Sequence, residues 1–425
     1  MKHLVFLFLL LLWAMPLHAA ETTITDLLNA TARQPELKAG RLAVQGTDTQ
    51  LKQARAALFP KLSAFGSYEI YNSPTNLRPM PPTEVNIAAG ESIPFSKRIA
   101  RYGLRMEMPL FVKELYTLAD KVKDLKKSSR AQYRIELLTR QAQVVSLNAG
   151  LAFNAHLNAA IDARLASLHK TRDDLELAVS NGRAAEAELL KVETASNDLQ
   201  RQKNDLARQA LIQGSQIEQL TGIRLDHFVR MTRRRAVEQG VFLPRTEQQA
   251  KVAASERELQ QVRDRHYPAL KLEGFISENR GDAYNTDRSI SRSYDYIGVK
   301  LSIPLFDRSL STSIDQADIQ LRRQKEQLVQ LRIDLDSEAQ SLNGQLTLIE
   351  HSAELARTTL ANDRRLLEIA KVAYRNGRMT TEDYLRYEAQ VLDAAAALYQ
   401  TRVDRWQAVS RQAVLFGDEL TGVVQ

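Results

Sequence analysis

Apolar positions follow two different periods along this chain, and the changes of period mark its elements. From Glu21 to Phe59 they fall near helical spacing, at Leu27, Leu28, Leu37, Leu42, Leu51 and Leu58, interrupted by Pro35 and Gly40. At Pro60 the period drops to two: Leu62, Ala64, Gly66, Tyr68 and Ile70 alternate with Lys61, Ser63, Phe65, Ser67, Glu69 and Tyr71, one apolar face against one mostly polar. Residues 72–99 carry Pro74, Pro79, Pro81, Pro82 and Pro94 and are expected to be a loop. A second alternating strand follows, with Tyr102, Leu104, Met106, Met108 and Leu110 on one face, so residues 60–111 predict a β-hairpin around a long loop.

Residues 112–221 then predict a long helical hairpin. Val112 to Ser180 holds no proline and only Gly150, a helix of roughly 100 Å at about 1.5 Å per residue. Asn181-Gly182-Arg183 reverses the chain, because asparagine and glycine tolerate the left-handed conformation that ends a helix. The tip spans residues 181–184, and Thr221-Gly222 ends the returning helix. Residues 222–245 break the pattern with Arg230, Arg233, Arg234 and Arg235, and predict an irregular equatorial segment.

The order then repeats: a helix over 246–267, a second hairpin over 268–306 with its turn in a polar loop from Glu278 to Arg292, and a second helical hairpin over 307–417 with its tip at 376–381, before a tail of residues 418–425. Asn376-Gly377-Arg378 lies 195 positions after Asn181-Gly182-Arg183, and Ile303-Pro304-Leu305-Phe306 stands against Met108-Pro109-Leu110-Phe111 at the same offset. The chain therefore carries an internal duplication. Thr380 and Thr381 are placed to cap the returning helix of the second copy.

Four strands of about ten residues have the length of outer-membrane strands. Tyr68, Tyr71, Tyr102, Tyr294 and Tyr296 near the strand ends suggest an aromatic girdle. Four strands do not close a barrel, since the smallest need about eight, and open edges are not tolerated in lipid. The chain must then oligomerise.

Composition narrows the chemistry. Cysteine is absent, which removes disulfides, thiolate ligands and a cysteine nucleophile, and the net charge of +7, one unit of it from Lys2, is dispersed among 51 acids and marks no nucleic-acid surface. Residues 1–20, with Lys2, an apolar run from Leu4 to Met15 and small residues at the end, predict a secretory signal peptide. His156, His169, His227, His266 and His351 show no i, i+4 pair, and no Gly-x-Ser-x-Gly, phosphate loop or His-Glu-x-x-His occurs. No catalytic residue, cofactor or metal is expected; the protein is not read as an enzyme.

Gln34-Pro35-Glu36-Leu37, the run Gln53 to Leu62, Pro304-Leu305-Phe306-Asp307 and Tyr374 to Asp383 resemble the TolC family of trimeric outer-membrane efflux channels, and the resemblance covers nearly all of residues 22–417. It implies a mainly α protein with four β-strands, assembling as a homotrimer whose twelve-stranded transmembrane β-barrel continues into an α-helical periplasmic tunnel. It also implies tips that meet a periplasmic adaptor, or membrane fusion, protein of an inner-membrane pump, in a tripartite efflux or type I secretion system. By the same resemblance Asp383, Glu188 and Tyr374 belong to a periplasmic gate, with rings of carboxylates favouring cations, and Arg378 takes the place of an arginine the family carries one position later, where this chain has Met379. A second acid expected three residues beyond Asp383 is Arg386. Asn181, Gly182, Arg183, Asn376, Gly377 and Arg378 are the expected adaptor contacts. Tyr374 stands where the first copy has Val179, an asymmetry that suggests the second helix pair moves more on opening. The alternative reading is a secreted structural periplasmic coiled-coil protein with its strands as a soluble cap.

Overall fold

The computed structural model describes residues 22–79, 86 and 89–425; the expected signal peptide lies outside the described residues, as do positions 80–85, 87 and 88. The elements run α1 (Ile24–Thr31), α2 (Pro35–Ala56), β1 (Lys61–Asn76), β2 (Phe95–Phe111), α3 (Lys113–Ser180), α4 (Glu186–Thr221), α5 (Leu243–Asp264), β3 (Ala269–Asp282), β4 (Ser289–Ser302), α6 (Arg308–Arg375), α7 (Thr381–Phe416) and α8 (Leu420–Val423). The fold is mainly helical with one four-stranded sheet. Helices α3 and α6 have 68 residues each and α4 and α7 have 36 each, their bounds recurring 195 positions apart.

The chain forms two compact units, one from the residues up to Gly40 with Tyr133–Leu243 and Asp334–Gln425, the other from Arg41–Gln132 and Pro244–Ile333. The second unit holds the sheet, an antiparallel array in the order β1-β2-β3-β4. Its register aligns like with like. Leu62, Met106, Gly274 and Ile297 form one row across all four strands, and Ala64, Leu104, Ile276 and Asp295 the next, Asp295 being the charged exception. This apolar face is bare, with Leu62 70% and Ile297 73% exposed. Gly103 in β2 permits the close pairing, since a Cβ there would meet the Ile276 carbonyl oxygen at 2.0 Å. The opposite face carries charge in pairs, Lys271 with Glu107 at 2.9 Å and Lys300 with Glu273 at 3.7 Å.

Three details differ from the sequence reading. The strands run further than alternation suggests: β1 continues through Pro74 to Asn76, with a register shift between Ile70 and Thr75, and β3 reaches Asp282. Pro74 is tolerated because β1 is an edge strand, where a missing N–H breaks no ladder. Only two of the five tyrosines stand on the apolar face, Tyr68 opposite Ala100 and Tyr102 opposite Gly66. Tyr71, Tyr294 and Tyr296 lie on the charged face; the Tyr71 hydroxyl donates to Glu69 and the Tyr296 ring packs against Phe275. The helical stretch 21–59 is two helices, because Pro35 starts a new one at its first position, where no N–H is needed.

In the first unit, Ile24, Leu27 and Leu28 of α1, Val144 and Val145 of α3, Ile217 of α4 and Val409 of α7 form a core with Leu420, Val423 and Val424. The C-terminal segment is thus docked through Leu420, Val423 and Val424. Thr232 and Gln425 exchange two backbone hydrogen bonds of 2.7 and 3.0 Å, and Arg233 forms a β-bridge with Val424. Arg235 donates to both oxygens of Asp418 at 2.6 Å, giving part of the arginine cluster a structural partner and holding that carboxylate below its ordinary range against burial, which pushes the other way. Further along, Ile161 and Leu168 of α3, Val192, Leu199 and Leu206 of α4 and Leu392 of α7 pack together. Their spacing of seven is the signature of a coiled-coil seam.

Candidate functional site at the helix turns

The two turns have the same backbone. At the first, the Gly182 N–H donates to Val179 and the Arg183 N–H to Ala178; at the second, Gly377 donates to Tyr374 and Arg378 to Ala373, all four bonds at 2.8 to 2.9 Å. Gly182 has φ of 68° and Gly377 of 67°. This paired closure satisfies the last helical carbonyls and requires the left-handed region, which glycine enters without steric cost. Asn181, Gly182, Arg183, Asn376, Gly377 and Arg378 are all exposed.

Side chains separate the two. Helix α4 starts from Ala185 with no side-chain cap, whereas α7 starts from Thr380, whose hydroxyl accepts from the Asp383 N–H at 3.1 Å and donates to the Asp383 carboxylate at 2.8 Å. Asp383 also receives Arg386 at 2.8 Å, so the unexpected arginine pairs with the carboxylate three residues before it.

Thr381, in contrast, is buried and lies between the two turns. Its hydroxyl stands 3.3 Å from the Tyr374 hydroxyl, and its proximity to Glu188, with the hydrogen bond from Lys191 at 3.1 Å, holds the Glu188 carboxyl below its ordinary value. Glu188 and Tyr374 are thereby brought to one place through a threonine, while Asp383 sits on the cap and Arg378 on the exposed turn. Burial raises the Tyr374 hydroxyl, opposed by the bond from Thr381.

Behind this stands a cluster that sequence reasoning did not single out. The Tyr374 ring stacks on Tyr384 with centroids 4.7 Å apart and planes at 11°. The Tyr384 hydroxyl donates to Glu388 at 2.8 Å, and Ser167 of α3 donates to the same oxygen at 2.6 Å. Arg164, also on α3, brings its Nε to 3.9 Å from the second Glu388 oxygen and donates from Nη2 to the Leu385 carbonyl at 3.4 Å. Glu388 is 3% exposed. Among the described residues Arg164 Nε and Glu388 Oε2 have no hydrogen-bond partner, so the ion pair is buried yet loosely made. Burial pulls the Arg164 guanidinium down against the opposing charges of Glu388 and Asp393, and burial above all pushes Tyr384 up to about 12. The signal that could have found this cluster is Glu388 itself, an acid one and two turns beyond Tyr384 and Thr381 on a face otherwise continued by Leu392 and Ala395.

Chemically, the arrangement ties α7 to α3 by one buried carboxylate that accepts from Tyr384 and Ser167 and has the Arg164 guanidinium beside it, and brings the second turn up to α4 at Thr381. It is a latch between helices.

Residues 246–417 match the family model described as outer membrane efflux protein. No curated protein sequence matches. Solved structures do. The Campylobacter jejuni CmeC outer membrane channel aligns with a TM-score of 0.76 at 17% identity, covering 94% of this chain and 85% of that one. The Vibrio cholerae outer membrane protein VceC gives 0.75 at 16%, covering 93% and 97%. The open state of the Neisseria gonorrhoeae MtrE outer membrane channel gives 0.73 at 13%, covering 94% and 90%. Residues 246–417 are thus similar to the outer membrane efflux protein family, and the chain shares its fold with these solved outer-membrane channels.

Proposed function

We propose that this protein is the outer-membrane channel of a tripartite efflux or type I secretion system, conducting substrates passively from an inner-membrane pump and its periplasmic adaptor to the exterior. The observation that carries the reading is the sheet. One face presents apolar rows in register over four strands and leaves them bare, while the other pairs its charges, and β1 and β4 are edges. A bare apolar face of this extent requires a cover. Lipid covers it if the edges close, and closure needs further copies: three supply twelve strands. The trimeric barrel, with the helical hairpins continuing it as a periplasmic tunnel, meets both needs. The element order and the helix lengths repeated across 195 positions support the duplication on which that architecture rests.

The helix turns are then the periplasmic end. Asn181, Gly182, Arg183, Asn376, Gly377 and Arg378 are exposed there for adaptor contact, and Glu188, Tyr374, Asp383 and Arg378 belong to the gate. Opening is the release of α7 from α3 and α4 at Thr381 and Glu388. No helix among the described residues is long and apolar enough to cross a membrane.

Fractionation of cells expressing the full chain tests this. Recovery with outer membranes, with migration of the trimer that changes on heating, is the expected result. Recovery as a soluble periplasmic protein overturns it in favour of the structural coiled-coil reading. In planar bilayers Asp383→Ala is expected to alter conductance or cation block; wild-type behaviour removes Asp383 from the gate.

A further inference from the structure

Away from the turns, in the first unit, α3, α7 and the irregular segment line a half-open cavity of about 530 Å³ that the transport reading does not use. Its volume falls within the range of small-molecule sites. Aromatic rings make its walls. His156 stacks on Tyr399 with centroids 5.0 Å apart and planes at 21°, and tilts against Phe228 at 5.4 Å. Phe153 and Trp406 complete the apolar lining. Two cations sit at its edge, Arg230 and Arg402, the latter with its guanidinium carbon 5.5 Å from the Tyr399 ring centre. No carboxylate is among the described residues that line it.

The wall from the irregular segment is held in place. Fully buried Asn148 donates to the Val229 carbonyl at 2.7 Å and accepts from the Val229 N–H at 2.8 Å, a two-point clamp that fixes Phe228 and Arg230 on either side. Burial and the charge of Arg402 lower the His156 pKa, which disfavours its charged form and leaves the two arginines as the permanent positive charge of the site.

Flat rings beside unopposed guanidinium groups favour one class of ligand. Stacking accepts a planar aromatic body, and the fork of arginine matches the paired oxygens of a carboxylate or sulfonate. We propose that this cavity binds a planar aromatic anion, its ring against Tyr399, His156 and Trp406 and its acidic group on Arg230 and Arg402. The proposal does not depend on the transport reading, because binding is a property of the folded chain alone.

The chain holds two tryptophans, Trp13 and Trp406, so Trp13→Phe leaves Trp406 as the sole reporter, inside the cavity. The test is titration of that full-length chain, purified in detergent, with benzenesulfonate, following emission under selective tryptophan excitation. A saturable change is expected. Benzyl alcohol, which keeps the ring without the charge, and methanesulfonate, which keeps the charge without the ring, are each expected to need about tenfold more ligand, as are Arg402→Gln and Arg230→Gln. The two arginines lie on different elements and both are exposed, so a folding defect in one variant leaves the other informative. Saturation-transfer NMR on benzenesulfonate with the same variants gives a second reading free of quenching artefacts. Absence of a saturable change overturns the proposal, and so does equal binding of benzyl alcohol or binding unaltered in both arginine variants.

Discussion

The two helix turns share a backbone and differ in almost everything attached to it. Around Gly182 the chain closes with exposed side chains and starts the next helix uncapped at Ala185; around Gly377 it closes identically, then adds Tyr374, a Thr380 cap, a buried Thr381 and the Tyr384 and Glu388 pair behind. The turn itself therefore needs only asparagine and glycine. What the second turn carries beyond that serves to hold α7 against α3 and α4.

The largest test of this difference is Glu388. Glu388→Ala leaves Arg164, 15% exposed, without its carboxylate, and a buried ion pair broken on one side costs about 3 to 5 kcal/mol. Denaturant unfolding should show that loss, while Arg164→Met with Glu388→Leu should recover most of it. A double variant as unstable as Glu388→Ala would mean the cluster is held by something other than charge. Next comes Tyr374→Val, which gives the second turn the residue of the first. Losing the stacked ring should cost about 2 kcal/mol, adding the lost apolar burial to the pair term. Because the chain lacks cysteine, a pair introduced across α7 and α4 near Thr381 reports the consequence cleanly: it should cross-link more slowly in the valine variant.

Smaller again is the cap. Thr380→Ala should destabilise by about 1 kcal/mol and Ala185→Thr should stabilise the first turn by a similar amount, both read by amide exchange in the first turn of α7 and α4. Equal and null effects at both sites would erase the comparison. The smallest effect is pH. The folded Glu188 carboxyl lies below its ordinary value of 4.5, so its contribution is fully present above that pH and is lost as pH falls through the lowered value. Acid should therefore loosen the link between the turns, and Glu188→Gln should remove that dependence.

Much of this was legible in the residues. Alternation at Leu62 to Ile70 and again at Ile297 to Leu301 announces half-apolar strands, and the register lines those positions up. The long helices show themselves by the lack of proline and by apolar residues seven apart. Resemblance singled out Glu188 and Tyr374 as expectations but offered nothing on Arg164 or Ser167, because these meet Leu385, Tyr384 and Glu388 only through tertiary packing between residues more than 200 positions apart. The ends of β1 and β3 were hidden for another reason: over 72–76 and 278–282 both faces are polar, so period two has nothing to alternate. The docking of residues 418–425 is invisible for want of any pattern in so short a segment, though Leu420, Val423 and Val424 are its anchors.

The equal helix lengths bear on how such a chain can change over generations. With 68 and 36 residues in each hairpin and a contact through Thr381 that joins their ends, a deletion in one hairpin would pull its turn out of reach of the other. Loss of a single residue would also rotate everything beyond it by about 100° around the helix axis, off the seam. Length is therefore inherited as a quartet: steps of seven, taken together in α3, α4, α6 and α7, are the changes this architecture can absorb.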